Sequence, residues 1–246
     1  CFRAMAEISE QLGKDGSMYS QEYEKLTAAI EKFYWDEEKG AYIDSFTSGK
    51  RNVTRHANIF AVLFSIADKE KQEKILTNVL ENEKIPAITT PYFNFFELDV
   101  LCQMGKLTEV LDKIRFYWGG MLDLGAVTFW EEYDPSVPKE EQYDMYGDHF
   151  GKSLCHAWAA SPIYFLAKYF AGLDLVNKDG VTYVLKPQMQ YFTDLDCTLP
   201  VGSDGTVRLA WDGECLEVTA DAEGGVLELG EEKISLVRGE TRRVKI

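Results

Sequence analysis

A mainly α protein that ends in a small β-domain is what the sequence predicts, and three observations carry that reading. From the N-terminus to about Leu173, apolar residues recur at steps of three and four. From Asn177 onward they alternate in short runs divided by turn residues. Between the last two predicted helices, residues 119–152 follow neither period.

The helices are predicted in order. Phe2, Met5, Ile8 and Leu12 mark the first, which stops at Gly13. Tyr23, Leu26, Ile30 and Phe33 mark the second, and Ile59, Val62, Leu63 and Ile66 the third. Ile75, Val79 and Leu80 mark the fourth; Phe95, Leu98 and Leu101 mark the fifth, ending near Gly105. Leu107, Val110, Leu111 and Ile114 form the sixth. Leu154, Trp158, Ile163, Leu166 and Phe170 form the seventh, closed by Gly172. The helices fall into pairs, a polar amphipathic member followed by a more apolar one. The second members open TRHANIFAVLF, TPYFNFFELDVL and SLCHAWAASPIYFL. Each starts on Thr or Ser, a good N-cap, and then sets His, Asn or Tyr in or near the first turn. Asn58 and Asn94 are 36 residues apart, close to one helical-hairpin repeat. Hairpins stacked in this way form a toroid or solenoid, with polar side chains gathered where the second helices begin. Capping alone also accounts for any one of these polar residues.

The runs VTYVLKP, CTLPV, TVRLAW, CLEVTA, GVLELG, KISLVRG and RRVKI are separated by KDG, SDG, WDG, AEGG and GEE. They predict a small antiparallel β-domain, a two-sheet sandwich or part of one. The expected division is residues 1–176 for the helical hairpins and 177–246 for the β-domain, with the junction at Asp174–Lys178. The turn aspartates are read as turn chemistry, and Trp211 as a core residue.

Charge narrows the function. There are 26 Lys and Arg against 41 Asp and Glu, a net charge of −15. That balance speaks against nucleic acid and against an anionic membrane surface, and it is compatible with a neutral ligand such as a sugar. No uninterrupted apolar run approaches the roughly 18 residues of a spanning helix. Five widely spaced cysteines show no CxxC or Cys/His ligand spacing, so they are expected as buried free thiols, and neither metal nor cofactor is expected. The opening CFRAMAEISEQLGK reads as mid-helix, and the chain is expected to be a piece of a longer protein.

The chemistry concentrates in GGMLDLGAVTFWEEYDPSVPKEEQYDMYGDHFGK. Long segments of this kind between helices tend to be functional. Trp130 stands beside Glu131, followed by Glu132, Asp134, Asp144 and Asp148, with Tyr133, Tyr143, Tyr146 and His149 interleaved. Aromatic faces stack on the C–H faces of sugar rings, while carboxylates bind hydroxyls or move protons. An aromatic neighbour also desolvates a carboxylate and raises its basicity. A solvated acidic loop is the competing reading, and the acids lack the spacing of an EF-hand calcium loop.

GAVTFWEEYDP followed by SLCHAWAASPIYFL resembles the catalytic barrel of the α-L-rhamnosidases, glycoside hydrolase family 78. RAMAEISEQLGK, TRHANIFAVLFSIA and TPYFNFFELDVLCQMGK resemble the later helices of that barrel, and the trailing strands its C-terminal β-domain. The resemblance covers nearly the whole chain and implies part of an (α/α)6 six-hairpin toroid followed by a small antiparallel β-sandwich. It implies hydrolysis of terminal α-L-rhamnose with inversion, which needs two carboxyls about 6.5–9.5 Å apart. By motif position Glu131 matches the general base, and Glu132 is the alternative base. His156 matches a sugar-contacting histidine, and Trp130 would help wall the subsite. Tyr92 and Asn94, and more weakly Arg55, His56 and Asn58, are candidates to line the cavity from their helix starts. The implied partners are a rhamnose-containing oligosaccharide or glycoside and the missing N-terminal part of the same barrel.

The sequence departs from the family in two respects. The family's acidic general-acid stretch, with Gly and Trp, has no match in these residues, and seven predicted helices fall short of six pairs. The chain is therefore expected to supply the base but not the acid, and to be inactive or nearly so alone. Two other readings remain open: a toroidal hydrolase for another sugar, and a non-catalytic helical-repeat scaffold with a carbohydrate-binding β-domain. His149 is read as a surface residue or as one that orients a carboxylate or water. A Cys155–His156 nucleophile pair is rejected, because neighbours on a helix point about 100° apart.

Overall fold

In a computed structural model of the chain, residues 1–178, 181–203 and 205–246 are described, in two compact units, Cys1–Thr89 and Thr90–Ile246. The expected KDG and SDG turns include residues 179, 180 and 204, which lie outside the described residues. Among the described residues, no helix is long and apolar enough to cross a membrane.

The first unit holds α1 (Phe2–Gln11), α2 (Ser17–Tyr34), α3 (Arg55–Leu63) and α4 (Lys69–Ile75), the last continuing into a π-turn at Leu76–Leu80. Between α2 and α3, the short strands β1 (Trp35–Asp36) and β2 (Ala41–Tyr42) form an antiparallel pair. Local chemistry sets the helix starts. The Asp15 carboxylate accepts from the Ser17 N–H at 2.9 Å, and Asp68 caps α4 by accepting from the Lys71 N–H at 2.9 Å. Thr54 is the N-cap residue of α3, as expected, but its hydroxyl donates to Asp44 at 2.7 Å rather than capping the helix.

In the second unit, α5 (Pro91–Gln103) begins after Thr90 with proline in its first turn, the favoured place for a residue without an N–H. Its side chains are buried on several faces, Glu97 among them, and Glu97 pairs with Lys113 of α6 (Leu107–Asp123) at 2.5 Å. The last helix, α7, spans Ser161–Phe165 and runs into a π-turn at Leu166–Phe170, where the Tyr169 hydroxyl donates to Asp99 of α5 at 2.7 Å. The expected seventh helix therefore starts late. Ser153 caps nothing, and residues 153–156 are non-helical because their backbone pairs with residues 128–131 instead.

The chain then enters β3 (Leu173–Lys178), so the stretch read as a junction is itself a strand. β4 (Val181–Leu185), β5 (Leu195–Val201), β6 (Gly205–Trp211), β7 (Cys215–Asp221), β8 (Gly225–Leu229), β9 (Glu232–Leu236) and β10 (Thr241–Lys245) follow. They form two four-stranded sheets, ordered β10-β7-β6-β5 and β3-β4-β8-β9. Inward residues from both sheets share one core, including Tyr183, Leu185 and Leu227 from one and Leu209, Leu216 and Val218 from the other. Against the antiparallel expectation, β4 and β8 pair in parallel. Gly225 permits this, since a Cβ there would collide with the ring of its register partner Tyr183. Trp211 packs against this core, and its N–H donates to the Phe192 carbonyl at 3.3 Å.

All five cysteines are free, but only Cys102 is buried, and burial pushes its thiol up to about 12. Cys197 and Cys215 are half-buried, and Cys1 and Cys155 are exposed, which corrects the expectation of buried thiols throughout.

Candidate active site

Gly125, at φ +90°, releases the chain from the end of α6. The chain then runs out through residues 128–131 and returns through 153–156, and the two arms hydrogen-bond side by side. The Glu131 N–H donates to the Ser153 carbonyl at 2.9 Å, and the His156 N–H donates to the Phe129 carbonyl at 2.8 Å. The Thr128 hydroxyl donates to the Leu154 carbonyl. This backbone pairing brings Glu131 and His156, 25 positions apart in sequence, to one place.

The long loop between the arms is packed rather than merely solvated. Trp130 and Gln142 are buried, and the Gln142 amide donates to the carbonyls of Asp134 and Val137 at 2.6 and 2.8 Å. The Tyr133 N–H donates to the Tyr117 hydroxyl at 3.1 Å, which ties the loop to α6. Gly120 of α6 makes room for the Tyr133 ring, which a Cβ there would strike. At the far end Met145 and Asp148 bridge, with Tyr146 and Gly147 both at positive φ, +56° and +82°. Two such residues in succession make the tight turn that joins antiparallel arms.

That turn aims Tyr146 at Glu131. The Tyr146 hydroxyl donates to Glu131 Oε1 at 3.1 Å, and the Ser153 N–H donates to Oε2, also at 3.1 Å. His156 Nδ1 lies 4.0 Å from the same Oε2. The carboxylate is 12% exposed and the imidazole 24%, so both reach solvent from a fixed setting. The hydrogen bond to the Glu131 carboxylate pushes the Tyr146 phenol up, which keeps it a donor.

Glu132 stands in a different field. Lys152 is buried, and burial pulls its ammonium down, offset first by Glu132 and then by Asp134, Asp144 and Glu131. Glu132 also acts on Tyr117, whose phenol burial pushes up. Of the two adjacent carboxylates, Glu131 is the one set against the imidazole, while Glu132 is one of four acids that favour the charged form of Lys152. The sequence reading did not single out Lys152, whose signal is a lone cation after a run of acids.

The remaining candidates divide. Tyr92, in the first turn of α5, is 47% exposed, and its ring lies 5.1 Å from that of Trp158. Asn94 is buried and faces no open surface: its amide donates to the Thr90 carbonyl at 3.2 Å, and its side chain hydrogen-bonds Tyr117. Trp130 is only 3% exposed and meets Tyr143 edge-on at 5.6 Å, so its ring supports the loop from inside. The aromatic in contact with His156 is Trp158, at 4.3 Å between ring centroids. In the first unit, Arg55 is buried and donates to the Leu80 carbonyl at 2.8 Å. Asn58 is buried with its amide bonded to Tyr42 and Thr54, because it stitches β2 to α3. His56 is exposed. His149 pairs with Asp144 at 2.5 Å on an exposed part of the loop, and not with Asp148.

A carboxylate held by two donors beside a partly exposed imidazole and open aromatic rings can bind hydroxyls and take a proton from water. Residues 1–170 match the family model described as the bacterial alpha-L-rhamnosidase 6 hairpin glycosidase domain. Among solved structures, a GH78 family rhamnosidase of Bacillus sp. GL1 is similar over 94% of this chain, with a TM-score of 0.76 and 23% identity. A rhamnosidase from Klebsiella oxytoca with rhamnose bound matches 69% of this chain, with a TM-score of 0.59 and 29% identity. An alpha-L-rhamnosidase from Dictyoglumus thermophilum matches 92%, with a TM-score of 0.66 and 19% identity. The chain spans 25%, 32% and 26% of those proteins, respectively. No curated protein sequence matches significantly.

Proposed function

The chain belongs to the bacterial α-L-rhamnosidase six-hairpin glycosidase family, and from that premise we propose that it is the base-bearing part of an inverting hydrolase of terminal α-L-rhamnosides. The observation that carries the reading is the meeting of Glu131 with His156, 4.0 Å apart, where the two arms of the 124–156 segment pair.

In this reading Glu131 accepts a proton from water as the water attacks the anomeric carbon. Tyr146 and the Ser153 N–H orient the carboxylate so that one lone pair faces the water. His156 and Tyr92 contact the sugar, while Trp130 and Asn94 hold the loop and Tyr117 from behind. Glu132 serves Lys152 rather than the water. The proton for the leaving oxygen comes from a carboxyl outside these 246 residues, on the remainder of the barrel. The chain's coverage of only 25–32% of the matched rhamnosidases supports that division. A substrate-derived rhamnosyl group is favoured because rhamnose is the sugar bound in the Klebsiella oxytoca relative.

The test is a panel of aryl glycosides offered to the full-length protein, with the first-formed anomer read by proton NMR. The α-L-rhamnoside is expected to lead, with release of β-L-rhamnose. Leading activity on another glycoside would move the reading to a hydrolase for that sugar, and release of the α-anomer would refute inversion.

A further inference from the structure

One end of the β-sandwich opens into a cavity of about 800 Å³, within the range of small-molecule sites. Three segments wall it: the β4–β5 connection at 186–190, the turn that follows β6 between Trp211 and Gly213, and the end of β8 at 228–230. Each segment is fixed by the protein itself. The Gln188 N–H donates to the Phe170 carbonyl at 2.8 Å, and Met189 is buried in the shared core. Asp212 accepts from the N–H groups of Glu214 and Cys215 at 2.9 and 2.7 Å, which closes the second segment around Gly213 at φ +95°. Lys186 and Lys233 pair with the two oxygens of Glu228 at 2.8 and 2.9 Å. These bonds hold the Glu228 carboxyl below the usual carboxylate range, so it stays ionised. Trp211 is half-buried; it packs against the core and also borders the cavity. Its N–H is already given to the Phe192 carbonyl, so its side chain offers a ligand carbon surface rather than a donor. Two amides supply the polar side. Gln188 donates to the Lys186 carbonyl at 3.1 Å, and Gln190 donates to the Gln188 side-chain oxygen at 2.9 Å. Among the described residues, the second N–H and the carbonyl oxygen of Gln190 have no hydrogen-bond partner. An amide held this way presents a donor and an acceptor side by side, which suits two neighbouring hydroxyls of a sugar ring.

We propose that this end of the sandwich is a second, non-catalytic sugar site, which binds one neutral residue of the glycan through Gln188 and Gln190 at its hydroxyls and Trp211 at its C–H face. The choice of a sugar rests on the glycosidase reading above, while the residues are separate from those that reading uses. A neutral sugar is favoured because the charges at the rim are matched in place: a carboxylate ligand would have to draw Lys186 away from Glu228. The site adds a second point of attachment for an extended glycan and contributes nothing to turnover of a small aryl glycoside, which cannot occupy both places at once.

The experiment titrates L-rhamnose, D-glucose, D-galactose, D-mannose and sodium D-glucuronate into the full-length protein, read by saturation-transfer NMR. Wild type is compared with Gln190→Ala, Gln188→Ala and Trp211→Leu, with thermal melting as a control. Binding whose dissociation constant equals a sugar's inhibition constant for aryl α-L-rhamnoside turnover is assigned to the active site, and the remainder to the sandwich. At least one neutral sugar is expected to bind the sandwich in wild type. Gln190→Ala should weaken that binding about fivefold, the scale of a lost hydrogen bond. Trp211→Leu should weaken it about tenfold, the scale of an aromatic contact. In every variant kcat, KM and rhamnose inhibition on the aryl glycoside should stay at wild-type values. Trp211 also packs the core, so the exposed Gln190 decides the matter if Trp211→Leu melts early. Absence of any sandwich binding by the four neutral sugars would overturn the proposal, as would equal affinities in wild type, Gln190→Ala and Gln188→Ala. Tighter binding of glucuronate than of every neutral sugar would overturn it as well. The function reading is judged apart, on the aryl glycoside panel. If that panel shows no turnover, the function reading fails, and the sandwich site is still decided by the loss of binding in its own variants.

Discussion

The β-sandwich and the helices bury their apolar residues to different extents. In the sandwich, alternation sends one face of each sheet into a shared core where Leu209, Leu216, Val218 and Leu227 have no exposure. The outer faces carry ion pairs, such as Arg208 with Asp196 at 2.6 Å and Lys186 with Glu228 at 2.8 Å. The helices keep large apolar side chains at the surface: Ile8, Leu12, Met18, Phe64, Phe116 and Ile163 are all exposed. A helix with apolar residues on two faces is built to be covered on both. The sandwich closes on a single core and leaves a few apolar side chains such as Leu175 and Val237 exposed, while the helices expose more of them, as the proposed longer barrel would require.

The largest effect that sharpens this contrast is on activity. Residues 1–246 alone are expected to show background turnover of an aryl α-L-rhamnoside, at least about 10²–10⁴-fold below the full-length protein. Comparable rates would contradict the proposal that further chain completes the helical part. Leu209→Ala empties part of the sandwich core and is expected to cost about 2–5 kcal/mol in chemical denaturation. Turnover per folded molecule should be unchanged. Asn58→Ala removes the side chain that serves Tyr42 and Thr54 in the helical unit, at a cost of about 1–3 kcal/mol. No change in the denaturation midpoint would refute its structural role.

Acid acts on the sandwich through its surface carboxyls. Hydrogen bonds from Arg208 hold Asp196 below the usual carboxylate range, backbone N–H groups of Glu214 and Cys215 do so for Asp212, and Lys186 and Lys233 do so for Glu228. Their folded values are depressed, so the stability they contribute is present above the ordinary carboxylate range. It is lost as pH falls through the depressed values. Thermal melts followed by β-sheet circular dichroism should therefore drop on acidification through that window, and an unchanged midpoint would contradict the assignment. Arg208→Ala alone, at an exposed pair, is expected to leave the midpoint at neutral pH nearly unmoved.

The same contrast explains what could be read from the sequence. Helical and alternating periods survive in amino-acid order, so seven helices followed by strands were legible, as were Thr54 and Thr90 at helix starts. Alternation reports which face a strand buries but not its neighbour, so the parallel pairing of β4 with β8 was not legible. Ser153 looked like another helix start, but the helix waits until Ser161 because the intervening backbone pairs across the loop. The family resemblance singled out Glu131 and His156, and the backbone pairing that sets them 4.0 Å apart had no signal in the sequence. Which tryptophan faces outward was not, since Trp130 and Trp158 lie in irregular backbone where no period assigns a face.

The most direct measurement sets Glu131→Gln beside Glu132→Gln in the full-length protein, with turnover of an activated aryl α-L-rhamnoside as the readout. Glu131→Gln should lose about 10²–10⁴-fold in kcat, while Glu132→Gln retains most of it. Near-normal turnover by Glu131→Gln, or a collapse confined to Glu132→Gln, would contradict the assignment of the base.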